Sequence, residues 1–286
     1  MEALLSVAFD NLSCYDSAKI KKGLRQVDGL LAQICLSQSQ QAPKSPVKKS
    51  SSSQADSQDD GPRPKPLPSL SSDPAFREFF KLQDGFEWNV AQRLLITLDR
   101  LVAKGGDGQN DLLILSALDL IQGVLLLHPP SKALFGREQY MNLLLDLIEP
   151  INCPAIQCAT LLTLVVALID TPTNTRTFEA LDGLLATTSL FRNRDTTREV
   201  KLKLMEFLYF YLMPETASIP KAVGGGMSPS KLAKAFDVKK RDGGDGRTKT
   251  MEEKQSLLGQ FLPEEYVGEL VRDLGTSAPF GVALKV

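Results

Sequence analysis

The chain of 286 residues is 43% hydrophobic with a formal net charge of −1. That is enough apolar mass for one large core or two small ones, and too little positive charge for the basic stripe of a nucleic-acid-binding domain. The near-zero total covers a mild asymmetry, since Asp73–Met213 is slightly acidic while Gln41–Ser72 and Pro214–Thr250 are slightly basic.

No stretch alternates β-branched and polar residues, so the chain reads as all-α. Residues 1–38 predict an N-terminal helical pair, with Leu4, Leu5, Ala8, Phe9 and Leu12 on one stripe and Ile20, Leu24, Val27, Leu31 and Ile34 on the next. Residues 39–72 are rich in Ser, Gln and Asp and end in Pro62, Pro64, Pro66 and Pro68, which predicts a disordered linker that cannot offset its ordering entropy.

Residues 73–213 predict a helical core. Trp88, Ala91, Leu95, Leu98 and Val102 share one helical face, ended by Gly105, Gly106 and Gly108. A second helix runs from about Asn110 to Leu127 and stops before Pro129-Pro130, with His128, the only histidine, at its end. Helix-end duty suits that residue better than catalysis.

A spacing of 43 residues then recurs. Leu118, Ile121, Leu125 and Leu126 return as Leu161, Leu164, Leu168 and Ile169, and again as Leu204, Phe207, Tyr211 and Leu212. Preceding helices keep the same offset: Ser131 and Phe135 match Asn174 and Phe178, while Leu98, Met141 and Leu184 form a triple. Ser131 and Asn174 suit helix starts. Pro154 suits a first turn, and Thr196 with Glu199 reads as a capping box. The period falls in the armadillo and HEAT range, so the fold expected is an all-α, armadillo/HEAT-like helical solenoid with disordered linkers and amphipathic terminal helices.

Residues 214–250 read as a second flexible linker, broken by Ile219-Pro220, Gly224–Gly226 and Gly243-Gly244. Residues 251–286 return to amphipathic helices through Leu257, Leu258, Phe261, Leu262, Tyr266, Val267, Leu270, Val271 and Leu274, which would cap the solenoid or engage a partner.

Catalytic patterns are not evident. Cys153 and Cys158 lack zinc-ligand spacing, and the glycines after Val102 are followed by no Gly-Lys-Ser/Thr, so neither a metal nor a nucleotide cofactor is expected, nor a small-molecule substrate. The four cysteines read as buried free thiols in a reducing compartment, and the apolar run Leu161–Ile169 is too short to cross a bilayer. A soluble intracellular protein is expected.

Two features could carry binding. Arg192, Arg194, Arg198 and Lys201 cluster at a helix start, where guanidinium groups and backbone N–H donors could take a phosphate or an acidic partner; a plain solvated surface is the competing reading. Ser45-Pro46-Val47-Lys48 and Ser228-Pro229-Ser230-Lys231 match the pattern of cyclin-dependent kinase sites, making Ser45 and Ser228 candidate phosphorylation sites. Lys239-Lys240-Arg241 is too short to favour nuclear import or nucleic-acid contact over solubility.

Residues 174–184 read Asn-Thr-Arg-Thr-Phe-Glu-Ala-Leu-Asp-Gly-Leu, and residues 198–215 read Arg-Glu-Val-Lys-Leu-Lys-Leu-Met-Glu-Phe-Leu-Tyr-Phe-Tyr-Leu-Met-Pro-Glu. With Asp-Gly-Phe-Glu-Trp-Asn-Val-Ala at 84–91 and the Cys14–Gly29 stretch, the chain resembles the fungal cell division control protein 14 family of the septation initiation network. The phosphatase of the same name is a different protein. Its chemistry needs an arginine six positions after the cysteine, where this chain has Ile20, Gln41, Ala159 and Leu164.

The resemblance implies a non-enzymatic armadillo-like scaffold in the cytoplasm, recruited to the spindle pole body. There it would bind a germinal-centre-class protein kinase of the network and promote ring constriction and septum formation. It supplies no catalytic residues and no kinase-contact residues. An armadillo-type adaptor for nuclear transport or nucleic acid, using the basic linkers, is the alternative; no membrane role is implied.

Overall fold

The computed structural model describes residues 1–36, 64–104, 108–215 and 248–277. Helices make up the regular structure of those residues, apart from one isolated antiparallel bridge between Leu36 and Pro64. They fall into two compact units, Met1–Thr97 and Leu98–Val286, which divide the helix spanning residues 90–103.

In the first unit, α1 (Glu2–Ser13) packs on α2 (Ser17–Cys35). Leu5, Ala8, Phe9 and Leu12 are buried with Ile20, Leu24, Val27, Leu31 and Ile34, whereas Leu4, on the predicted stripe, is 60% exposed. The two backbones approach at Gly23, where a Cβ would lie 2.9 Å from Leu12 Cγ and 3.0 Å from the Ala8 carbonyl oxygen. Asp16 starts α2 by accepting from the Ala18 amide at 2.9 Å.

The last part of the predicted 39–72 linker is ordered. Lys65 donates its amide to the Cys35 carbonyl at 2.8 Å and its ammonium to the Ile34 carbonyl at 2.9 Å, so carbonyls left over at the end of α2 find partners. A short helix, α3 (Leu67–Leu70), follows. Prolines forbid interior helix and do not forbid extended chain, so the Pro run is compatible with this docking. Asp73 then accepts from the Ala75 and Phe76 amides to begin α4 (Pro74–Gln83).

Trp88 stacks on Phe9 with ring centroids 6.2 Å apart, and the Arg93 guanidinium lies 5.3 Å from the centroid of the same ring. The N-terminal pair therefore shares a unit with the start of α5 (Val90–Ala103), although the sequence suggested a core beginning at residue 73.

The second unit contains α6 (Asp111–Leu127), a 3-10 turn (Pro129–Gly136), α7 (Glu138–Leu147), α8 (Pro154–Leu168), α9 (Pro172–Ala180), α10 (Gly183–Arg192), α11 (Arg198–Leu212), α12 (Met251–Leu258) and α13 (Glu264–Ser277). Helix α6 packs on α8, and α8 on α11, so the three copies separated by 43 residues lie in series. Leu118, Leu161 and Leu204 are all buried, as are Ile121, Leu164 and Phe207, and Leu125, Leu168 and Tyr211.

The fourth column departs from the expectation. Leu126 is 63% and Ile169 40% exposed, while Leu212 is buried on the helix that α12 and α13 pack against. Eight residues of helix overshoot two turns by about 80°, which moves Leu126 and Leu212 to the edge of the stripe, while Ile169 has already left the helix as the C-cap of α8 at ψ 131°.

Leu98, Met141 and Leu184 are buried, and so are Phe135 and Phe178. Ser131 and Asn174 do not cap, since their helical segments begin earlier, at Pro129 and Pro172. Asn174 instead turns its amide back to the carbonyls of Ala167 at 2.7 Å and Lys132 at 2.8 Å. Helix α8 does begin at Pro154. The cap of α11 is Thr197 rather than Thr196, whose hydroxyl donates to the Leu190 carbonyl at 2.7 Å. A capping box forms at Thr250 and Glu253, opening α12.

Among the described residues no single helix is long and apolar enough to cross a membrane; α6 and the following 3-10 turn reach the length together but bend by 120°.

Candidate functional site

Helices α8 and α11 run in the same direction. Cys158 feels the charges of Glu199 and Lys203 toward one end, and Ile169 adjoins Phe210 and Met213 at the other. Between them lies an apolar groove of about 250 Å³, lined by Leu161, Leu162, Val165, Ile169, Phe207, Phe210 and Met213. A 2.8 Å ion pair between Lys203 and Glu206 forms part of its wall.

Ile169, Phe210 and Met213 also line a second cavity of about 190 Å³. Thr175, Tyr211, Glu215 and Lys254 give this one a more polar wall.

A charged cluster stands beside that polar wall. Arg176 on α9 donates to Glu215 at 2.5 Å and lies 3.0 Å from Glu179, while Lys249 reaches Glu179 at 2.6 Å. Lys254 on α12 lies 3.1 Å from Glu215 and donates to the Met213 carbonyl at 2.9 Å. The Tyr211 hydroxyl donates to Glu179 at 2.7 Å, beneath the Lys254 ammonium 5.1 Å from the ring centroid.

Burial drives the Tyr211 phenol far above its ordinary value, helped by the neighbouring Glu179 charge, and drives the Lys254 ammonium down against the pull of Glu215. The arrangement ties the chain around Lys249–Lys254 to α9 and α11. Sequence reading missed it because the partners of Glu179 and Glu215 on the C-terminal segment lie far along the chain, where no helical spacing links them.

Of the basic residues singled out earlier, Arg192 ends α10 and donates to the Phe261 carbonyl at 3.4 Å. Arg194 and Arg198 are exposed and Lys201 is half-buried, so the cluster faces solvent at the N-terminal end of α11. Ser45 and Ser228 lie outside the described residues.

His128 and Ser131 form a 2.8 Å pair resembling a base and nucleophile, but both are buried at the end of α6, where they close a turn. Burial raises the thiols of Cys35 and Cys158, which keeps them in the poorly nucleophilic protonated form. Among the described residues no group of three His, Cys, Asp or Glu side chains could hold a metal ion.

These observations define an all-helical protein of serially packed helices, with an apolar groove on its second unit and a mixed-charge surface at the start of α11, where Arg194, Arg198 and Lys201 alternate with exposed Asp195 and Glu199. The chain belongs to the cell division control protein 14 family, a component of the SIN: the family model of that description matches residues 1–280. It is 30% identical over 211 residues to cell division control protein 14 of Schizosaccharomyces pombe (strain 972 / ATCC 24843), covering 71% of this chain and 78% of that relative. No solved structure matches.

Proposed function

We propose that the chain is a non-catalytic regulatory scaffold, an armadillo/HEAT-type solenoid that binds a germinal-centre-class protein kinase of the septation initiation network. It holds that kinase at the spindle pole body and so promotes cytokinesis and septum formation. Family membership supports the network role.

The observation that carries the scaffold reading is the series α6, α8, α11. Residues 43 apart occupy matching buried positions on three helices that pack one on the next, as expected where each unit hides its apolar face on a neighbour. Within this reading, residues 214–250 are a linker, Ser45 and Ser228 are the points where a proline-directed kinase adjusts the scaffold, and Arg192, Arg194, Arg198 and Lys201 contact an acidic partner.

Co-expression with the network kinase followed by size-exclusion chromatography tests it. Co-elution is the expected result; separate elution at micromolar concentration would overturn the reading.

A further inference from the structure

We propose that α12 and α13 form a strap that lifts off α11 as one unit while α6, α8 and α11 stay folded, with the charged cluster at its base as the latch. This goes beyond the scaffold reading by giving the second unit a moving part, and it does not depend on which partner the scaffold binds.

The strap lies at the end of the series. Helix α8 is held by α6 and by α11, whereas α12 and α13 pack on α11 and on each other. In stacked helices each unit is stabilised by its neighbours, so an end unit can leave without breaking the contacts among the rest.

Its apolar hold is small. Of the eight residues of α12, Lys254 and Leu258 are buried, and Leu262, Val267, Leu270 and Leu274 are the buried apolar side chains that follow. Helix α6 by itself buries eight apolar residues.

The rest of the joint is ionic and incompletely filled. Lys254 is 4% exposed, with its ammonium 3.1 Å from Glu215 and 2.9 Å from the Met213 carbonyl. Taking such charges out of water costs free energy that their pairing returns only in part, and burial accordingly holds the Lys254 ammonium below its ordinary value. Arg176 pairs with Glu215, yet its Nε and Nη1 are buried without a hydrogen bond; Nη1 faces Glu179 at 3.0 Å without the geometry for one. Water would satisfy both donors once the strap lifts. The cavity of about 190 Å³ bordered by Tyr211, Glu215 and Lys254 leaves these side chains without packing atoms on one side. Each feature lowers the free energy of opening this joint, and elements held in this way open locally before their domain unfolds.

The latch sits on the first residues of the strap. The Lys249 amide donates to Glu215 at 3.0 Å and its ammonium to Glu179 at 2.6 Å, beside the Lys254 pair. Opening bares the edge of α11 around Tyr211, whose ring lies under the Lys254 ammonium, so the strap sets whether the series ends closed or open.

Native-state hydrogen exchange of the full chain in low urea tests the proposal. Amides of α12 and α13 should exchange about 100-fold faster than the slowest amides of α6 and α8, through an opening whose urea dependence is smaller because it exposes less surface. Glu215→Ala removes the shared partner of Arg176, Lys249 and Lys254. It should speed exchange in α12 and α13 by about tenfold more and leave α6 and α8 unchanged.

One rate and one urea dependence shared by α6, α8, α12 and α13 would overturn the proposal, as would an effect of Glu215→Ala that is absent or equal in all four helices. Should that variant not fold, the wild-type comparison decides by itself. Kinase co-elution is read separately and decides the scaffold reading alone.

Discussion

Gly183 follows Asp182, which sits in the left-handed region at φ 57°, and any Cβ at position 183 would enter the buried Phe178 ring. That ring is itself packed against Phe207 with centroids 5.5 Å apart, so it has little freedom to move aside. Gly183→Ala should therefore destabilise the second unit by about 1–3 kcal/mol, read as a lowered thermal midpoint. An unchanged melt would mean that α9 and α10 repack freely.

Asp73 makes a second residue-scale prediction. Hydrogen bonding to the Lys65 ammonium, with the Phe76 and Ala75 amides, holds its carboxyl below the ordinary aspartate value. The unfolded chain then binds a proton more readily, so the stabilisation is present above the ordinary aspartate range and is lost as pH falls through the lowered folded value. Wild type should exceed Asp73→Asn in stability at neutral pH and converge with it in acid. A gap that persists in acid would deny the linkage.

Single-residue roles were only partly legible. Pro154 marks the start of α8 in sequence and structure alike, because proline's fixed φ and missing N–H act locally. Thr196 with Glu199 fits the capping-box pattern and Thr197 with Val200 does not, yet Thr197 caps, because the Thr196 hydroxyl is spent on the Leu190 carbonyl, a contact that pattern does not contain. Asn174 looks like a helix start in the sequence and is not one, because one of the carbonyls its amide serves, that of Lys132, is 42 residues away.

At the scale of elements, the tightest approach is between α1 and α2. Gly23→Ala must push against both Leu12 and the Ala8 carbonyl, and backbone yields less readily than a side-chain tip. A loss of about 1–3 kcal/mol follows, visible as earlier melting of the first unit; no loss would show that the helices separate easily.

The 43-residue period was legible in three columns because burial repeats wherever equivalent helices meet equivalent neighbours. It failed in the fourth, where Leu126 and Ile169 remain exposed while Leu212 lies on a helix joined by α12 and α13. What packs on a helix edge is a property of the assembled chain. The cluster of Arg176, Glu179, Glu215, Lys249 and Lys254 was invisible for the same reason.

For the whole molecule, helices and their order followed from apolar spacing, whereas the division into units did not. The N-terminal pair shares its unit with the start of α5 through Phe9, Trp88 and Arg93, contacts that no local pattern announces. The proposed scaffold function depends on the second unit offering a ready-made surface, since a preorganised groove spares the entropy of ordering one. Hydrogen–deuterium exchange on the full chain, free and with the network kinase, tests this most directly. The account predicts added protection in α8 and α11 on binding, with little change in α1 and α2; protection confined to the first unit, or none anywhere, would contradict it.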